Sequence, residues 1–280
     1  MNLFNLFISI NYIKINLYNI LMSNKNMEQW KNAYEHTKTV CTIGQYKNVP
    51  VNESIKCYYK PNLSNTITDN KPTIRIVPND PLEVAECFVT NGYNPVVLNI
   101  ADGSWPGSQI EMEGYGYEES LFCRSNYFKT LNLQNGLYPI NGLECIYSKN
   151  VLVIKDIDLT PLAKPFNVSF IACAPIKHYK SDILDETEYE ITFMKLSTVF
   201  QTASLKGHDV IVLSAFGCGA YKNPQKQIVE IFNKLIEKYG HLFKFITFAI
   251  IPKKEMDGKY ILKHNHECNY QFFLNGIKTN

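Results

Sequence analysis

The chain has 280 residues, 45% hydrophobic and 19% charged, which suits a globular protein with ample core, either one large domain or two small ones. Its formal charge of +2 supports no broad basic surface, so direct nucleic-acid binding is not expected. The eight cysteines stand far apart with no CxxC pair. That argues against a small disulfide scaffold, gives a zinc site little support and suits reduced thiols in an intracellular, cytoplasmic or nuclear, protein.

In chain order, residues 1–26 are apolar but interrupted by Asn2, Asn5, Asn11, Lys14, Asn16 and Asn19. A spanning helix wants about 20 mostly apolar residues, and no basic flank or small-residue cleavage site marks a secretory signal. The segment reads as an extension that packs on the domain or on a partner, with a weak membrane anchor as the alternative. From Met27, the spacing of Trp30, Ala33, Tyr34 and Thr37 predicts a helix that stops near Gly44. Short extended pieces and a surface loop follow to residue 72, then a strand in "TIRIVPND". Asp80 as cap, Pro81 at the first helical position and Gly92 as stop predict the next helix. "PVVLNIA" reads as a strand buried on both faces, and "EESLFCRSNYFKTL" as one helical stretch. "VLVIKD" and "NVSFIACAP" are further strands. Near the C-terminus, "HDVIVLSAFGCGAYKNPQKQIVEIFNKLIEKYG" predicts strand, glycine loop and an amphipathic helix with Ile228, Ile231, Phe232 and Leu235 on one face. "FKFITFAI" closes the set as another strand. Strands alternating with helices imply a layered α/β domain from residue 27 to the end.

In such sheets ligands bind beyond the carboxyl ends of strands, which singles out the loops Ala101–Tyr117 and Ala215–Asn223. Gly217 and Gly219 allow a close backbone approach to a phosphate, and a helix N-terminus follows; a tight strand-to-helix turn is the plain alternative. Cys218 has no base nearby in sequence and reads as small filler. Glu118 and Glu119 sit in a first helical turn, where acidic residues are common for the dipole alone. A second carboxylate so close also raises one partner's proton affinity, which a general acid needs. "HNHEC", His264 to Cys268, has metal-binding residue types but lacks a second half, and Tyr115, Tyr117 and Tyr221 could stack on a ligand or pack on the core.

Taken together, these motifs resemble the microbial-type poly(ADP-ribose) glycohydrolases of the macrodomain superfamily. "LNIA", Leu98 to Ala101, is similar to that family's LNFA, Pro106 to the proline of its PGGG, and Glu118 and Glu119 stand at the spacing of its QEESL pair. "YPINGLECIYSKNVLVIKD" and "LSAFGCGAYKNP" match two further stretches. The resemblance implies a three-layer α/β/α macrodomain-like fold with a mixed central sheet, ADP-ribose or poly(ADP-ribose), possibly protein-linked, as ligand, a monomer, and no metal or cofactor. It implies Glu119 as general acid, Glu118 and Asn99 on ribose hydroxyls, and Pro106, Gly107, Ser108 and Gln109 around the ribose–phosphate junction. Phe216, Gly217, Cys218, Gly219 and Ala220 would hold the diphosphate, with Tyr221 against the ligand. Where the family has three glycines this chain has Gly107, Ser108 and Gln109, and Tyr117 replaces the glutamine. Those substitutions define an alternative, a weak or inactive ADP-ribose-binding module, and more remotely a scaffold with a collapsed cleft.

Overall fold

The computed structural model describes residues 27–61, 70–108, 110, 116–178, 182–252 and 269–279. The expectations for residues 1–26, for Gln109 and Tyr115 and for His264 to Cys268 therefore lie outside the described residues.

Seven strands form one mixed sheet: β1 (Ile55–Tyr58), β2 (Thr73–Val77), β3 (Pro95–Ile100), β4 (Glu144–Lys155), β5 (Pro161–Cys173), β6 (Val210–Leu213) and β7 (Phe245–Ala249). Their order is β1-β4-β5-β3-β6-β7-β2. The five strands from β5 to β2 run parallel, whereas β4 is antiparallel to β5 and β1 to β4. Among the described residues, seven α-helices cover the two faces: α1 (Met27–Thr42), α2 (Pro81–Thr90), α3 (Tyr117–Arg124), α4 (Tyr127–Thr130), α5 (Glu186–Leu205), α6 (Gln225–Tyr239) and α7 (Asn269–Gly276).

The period-2 alternation of a strand assigns its side chains to faces. Val96 and Leu98 of β3 enter a core shared with Leu196, Phe200, Phe232 and Phe273, on the side of α5, α6 and α7. Val97 enters the opposite core with Trp30, Leu82, Phe122 and Tyr127, on the side of α1 to α4. A central parallel strand is thus apolar on both faces, and the architecture is the three-layer α/β/α arrangement with a mixed sheet.

The helix predicted after Pro81 forms as its signals indicate: the Asp80 carboxylate accepts hydrogen bonds from Leu82 N and Glu83 N at 2.9 and 3.2 Å. The single helix expected over "EESLFCRSNYFKTL" is instead two, α3 and α4. Ser125 is extended, with φ −148° and ψ 168°, and pairs with Val153 as an isolated bridge. Asn126 N donates to Leu152 O, and Asn126 Oδ1 accepts from Leu152 N at 2.8 Å. Bonding to β4 therefore outcompetes helix continuation. Helix α5 was not identified from the sequence, and its buried face explains why: Thr192, Lys195, Ser197, Thr198, Gln201 and Thr202 are all buried there, so the apolar stripe that would announce it is broken.

Helix α1 is fastened to the rest by a buried polar joint. Lys155 Nζ donates to Ala33 O at 2.6 Å and to Thr37 Oγ1 at 2.7 Å, and Thr37 Oγ1 donates to Cys123 O at 2.5 Å. Burial pushes the Lys155 ammonium down to about 8, because desolvation disfavours the cation.

Candidate active site

The two loops singled out from the sequence leave the carboxyl ends of β3 and β6, which are parallel neighbours in the middle of the sheet. Glu118 and Glu119 open helix α3, whose N-cap is Gly116. A Cβ on Gly116 would lie 2.8 Å from Glu119 Oε2, so the glutamate carboxyl folds back over bare backbone. Glu118 is only 2% exposed. Its Oε1 accepts from Asn99 Nδ2 and its Oε2 from Asp102 N, both at 2.9 Å. Asn99 reaches it because it follows Leu98 by one position on β3 and so points to the α3 side of the sheet.

Burial pushes the Glu118 carboxyl up to about 8, against the opposing hydrogen bonds from Asp102 N–H, Asn99 and Gly107 N–H. The charge of Glu119 adds a smaller upward push. The sequence led us to expect one raised carboxyl in the pair, suited to a general acid; it is Glu118, which the resemblance gives to ribose hydroxyls, and desolvation, more than the neighbouring carboxylate, is the cause.

The loop after β3 is built on Asp102. Its Oδ1 accepts from Ser104 N at 2.7 Å and Trp105 N at 3.1 Å, closing a local turn. Burial alone would raise the Asp102 pKa, yet these amides, the Tyr221 hydroxyl and Lys177 together hold it below the usual carboxylate range. Gly107 has φ 77°, and a Cβ there would lie 2.9 Å from Phe122 Cδ1, so glycine is required twice over. Ser108 also takes the left-handed conformation, with φ 53°, at a cost of roughly 1–2 kcal/mol for a residue with a Cβ. The backbone path of a glycine pair is thus kept although the second glycine is absent.

On the opposing loop, Gly217 has φ 72°, and a Cβ would meet Asn223 Nδ2 at 2.6 Å. Asn223 Nδ2 donates to Ile176 O at 2.8 Å, and Asn223 N donates to Gly217 O at 3.0 Å, which folds the loop tightly. Gly219 and Ala220 are exposed at its tip. The Phe216 side chain is buried in the core on the α5–α7 face, so only its backbone faces outward. Burial pushes the Cys218 thiol up, in keeping with its reading as filler.

The two loops are joined directly. Tyr221 OH donates to Asp102 Oδ2 at 2.8 Å, Lys177 Nζ lies 3.6 Å from the same oxygen, and the Lys177 ammonium stands 5.4 Å from the Tyr221 ring centre. Sequence reasoning missed Asp102 and Lys177. It also missed Tyr138, whose buried hydroxyl has no hydrogen-bond partner among the described residues and lies within the influence of Glu118, Tyr127, Asp102 and Tyr221. Burial raises its pKa far above the ordinary phenol value, leaving a neutral donor. Its segment is pinned to the first loop by Ile140 N donating to Gly103 O at 2.8 Å. The available signal was the Tyr-Pro pair opening "YPINGLECIYSKNVLVIKD". Tyr117, at the glutamine position, donates from its hydroxyl to Leu98 O at 2.6 Å and ties α3 to β3 instead of facing the cleft. Among the described residues no group of three His, Cys, Asp or Glu side chains could hold a metal ion. None of the helices described is long and apolar enough to cross a membrane.

Residues 24–156 match the family model described as the microbial-type PARG catalytic domain. No curated protein matches the chain. Among solved structures, poly(ADP-ribose) glycohydrolase from Thermomonospora curvata superposes with a TM-score of 0.76 at 19% identity, covering 89% of this chain and 100% of that one. The same enzyme bound to the inhibitor ADP-HPD gives a TM-score of 0.63 at 22% identity, over 73% and 78% of the two chains. The Deinococcus radiodurans glycohydrolase in complex with ADP-ribose gives 0.61 at 17% identity, over 90% and 91%. The chain is thus similar to the microbial-type PARG catalytic domain over residues 24–156 and shares the fold of solved poly(ADP-ribose) glycohydrolases.

Proposed function

We propose that the chain is a poly(ADP-ribose) glycohydrolase that hydrolyses the ribose–ribose glycosidic bond with Glu119 as general acid. The observation that carries this reading is the glutamate pair itself: two buried carboxyls at the head of α3, beside Asn99, in a family-matched segment. Glu119 protonates the departing ribose oxygen while positive charge develops at the anomeric carbon, and water attacks that carbon. Glu118 and Asn99, already bonded to each other, present a fixed acceptor and donor to ribose hydroxyls. Backbone N–H groups of Gly217 to Tyr221, together with the Gly107–Ser108 turn, hold the diphosphate, so that positioning supplies much of the acceleration. The neutral Tyr138 hydroxyl faces the same space and supplies a donor to the ligand. We assign the protein a monomeric state, and protein-linked ADP-ribose is a second substrate of the same site.

The alternative, a reader that binds the polymer without cutting it, rests on the altered glycine triplet. The left-handed φ of Ser108 argues against it, because the substitution leaves the turn in the conformation a glycine would take.

The test is release of free ADP-ribose from poly(ADP-ribose) by the purified protein and by Glu119→Gln, with ADP-ribose binding followed by calorimetry. Hydrolysis should fall about 10²–10⁴-fold in the variant, while affinity changes by no more than a few-fold. Binding without release by the wild type would establish the reader instead.

A further inference from the structure

Two cysteines distant in sequence face each other across the edge of the sheet. In the antiparallel pairing of β1 with β4, Cys57 is the register partner of Cys145. Directly opposed residues share a sheet face and lie about 4.5–5.5 Å apart at Cα, within the roughly 4.4–6.8 Å that a disulfide spans. Both side chains enter the core on the α5 side of the sheet, and Cys145 Sγ is 3.4 Å from Thr202 Oγ1 on α5.

We infer that Cys57 and Cys145 are an oxidative modification site, a dithiol that hydrogen peroxide converts to a cross-strand disulfide.

The arrangement separates the roles. Cys57 sits on an edge strand, part-exposed, with Lys60 and Lys206 close enough to stabilise a thiolate. Its pKa is lowered chiefly by the neighbouring Cys145 thiol, against the opposing effect of burial. Burial drives the other way at Cys41, Cys87, Cys123, Cys173 and Cys218, whose thiols are all raised. Reactivity follows thiolate character and access, so Cys57 is the attacking sulfur. Cys145 is fully buried and meets oxidant only through Cys57.

In the first step the Cys57 thiolate attacks one peroxide oxygen. An S–O bond forms, the O–O bond breaks, and the departing hydroxide takes up a proton to leave as water. In the second, the Cys145 sulfur attacks the sulfenic sulfur of Cys57, the S–S bond forms, and the sulfenic hydroxyl leaves with the Cys145 proton as a second water. Two thiols are oxidised and one hydrogen peroxide is reduced. The register is held for this by Gln201, which accepts from Lys60 N and donates to Lys60 O, both at 3.0 Å. These bonds fix the chain as it leaves β1. The covalent loop so closed contains β2, β3 and the glutamate pair.

The test uses the full chain, treated with hydrogen peroxide, alkylated and mapped by peptide mass spectrometry. Expected is an intact mass lower by two hydrogens and one crosslinked peptide pair, Cys57 with Cys145, reversed by dithiothreitol. Cys57→Ser should abolish the crosslink and leave Cys145 unmodified. Cys145→Ala should trap Cys57 as a sulfenic acid that dimedone labels. Cys57 remaining fully alkylatable after peroxide, advancing to sulfinic acid in the wild type, or pairing with a different cysteine would each overturn the inference. None of these readouts depends on glycohydrolase activity.

Discussion

At the scale of single residues, Glu118 and Tyr138 make opposite use of burial. Glu118 carries a carboxyl raised from 4.5 to about 8, so the folded state holds a proton that the unfolded chain releases. Its contribution to stability is complete below about 4.5 and is lost as pH rises towards about 8. Glu118→Gln should flatten that decline by on the order of 3 kcal/mol, read as the difference between urea unfolding at pH 5 and pH 8 in variant and wild type. Equal slopes would mean that Glu118 is ionised in the fold. Tyr138 instead hides a hydroxyl that no group among the described residues satisfies. Tyr138→Phe breaks no hydrogen bond to a described residue, so stability should hold or rise by about 1 kcal/mol, while ADP-ribose affinity falls about 5–10-fold. Unchanged affinity by calorimetry would remove Tyr138 from the site.

At the scale of elements, the aim of the glutamate pair depends on how α3 is fixed at both ends. Its first turn is held by the Tyr117 hydroxyl on Leu98 O and by Glu118 on Asn99 and Asp102 N. Its last turn is held by Arg124, whose Nη1 lies 2.9 Å from Asp80 Oδ2, with both side chains almost wholly buried. Asp80 thus has two duties, capping α2 with one oxygen and pairing with α3 through the other. Arg124→Met would strand a buried carboxylate and should cost about 3–5 kcal/mol in denaturant unfolding, far more than an exposed ion pair would. A loss below 1 kcal/mol would show that the cap alone satisfies Asp80. The cap was legible in the sequence because its signal is local. The pairing was not, since nothing in "EESLFCRS" says where Arg124 points until α2 and α3 pack.

At the scale of the whole molecule, the chain's first described helix covers the face that carries α3. Trp30 is 1% exposed in that core, and its carbonyl accepts from Cys123 Sγ at 3.6 Å. Trp30→Ala should cost about 3–5 kcal/mol and lower Tm by roughly 6–15 °C. ADP-ribose affinity of the folded fraction should be unchanged, because the Trp30 side chain is packed in the core and belongs to neither site loop. An affinity loss comparable to that of a site variant would show instead that α1 sets the position of α3. The family match spans α1 through the end of β4, whereas the fold shared with the solved glycohydrolases extends over both layers.

The sequence by itself determined the features whose cause is local or periodic. These are the Asp80 cap, the doubly buried β3, the amphipathic α6, the alternation that implies an α/β layer, and the glutamate pair at a recognisable distance from Pro106. Tertiary structure decided everything that requires two distant segments to choose each other. It ended α3 at Ser125 by offering β4 as a better hydrogen-bond partner. It buried polar residues along α5 and so erased that helix's apolar stripe. It also placed the Tyr221 hydroxyl on Asp102 and set Cys57 opposite Cys145. Local signals follow from the backbone chemistry of a few neighbouring residues, while burial, which moves Glu118 to about 8, is a property of the assembled layers alone.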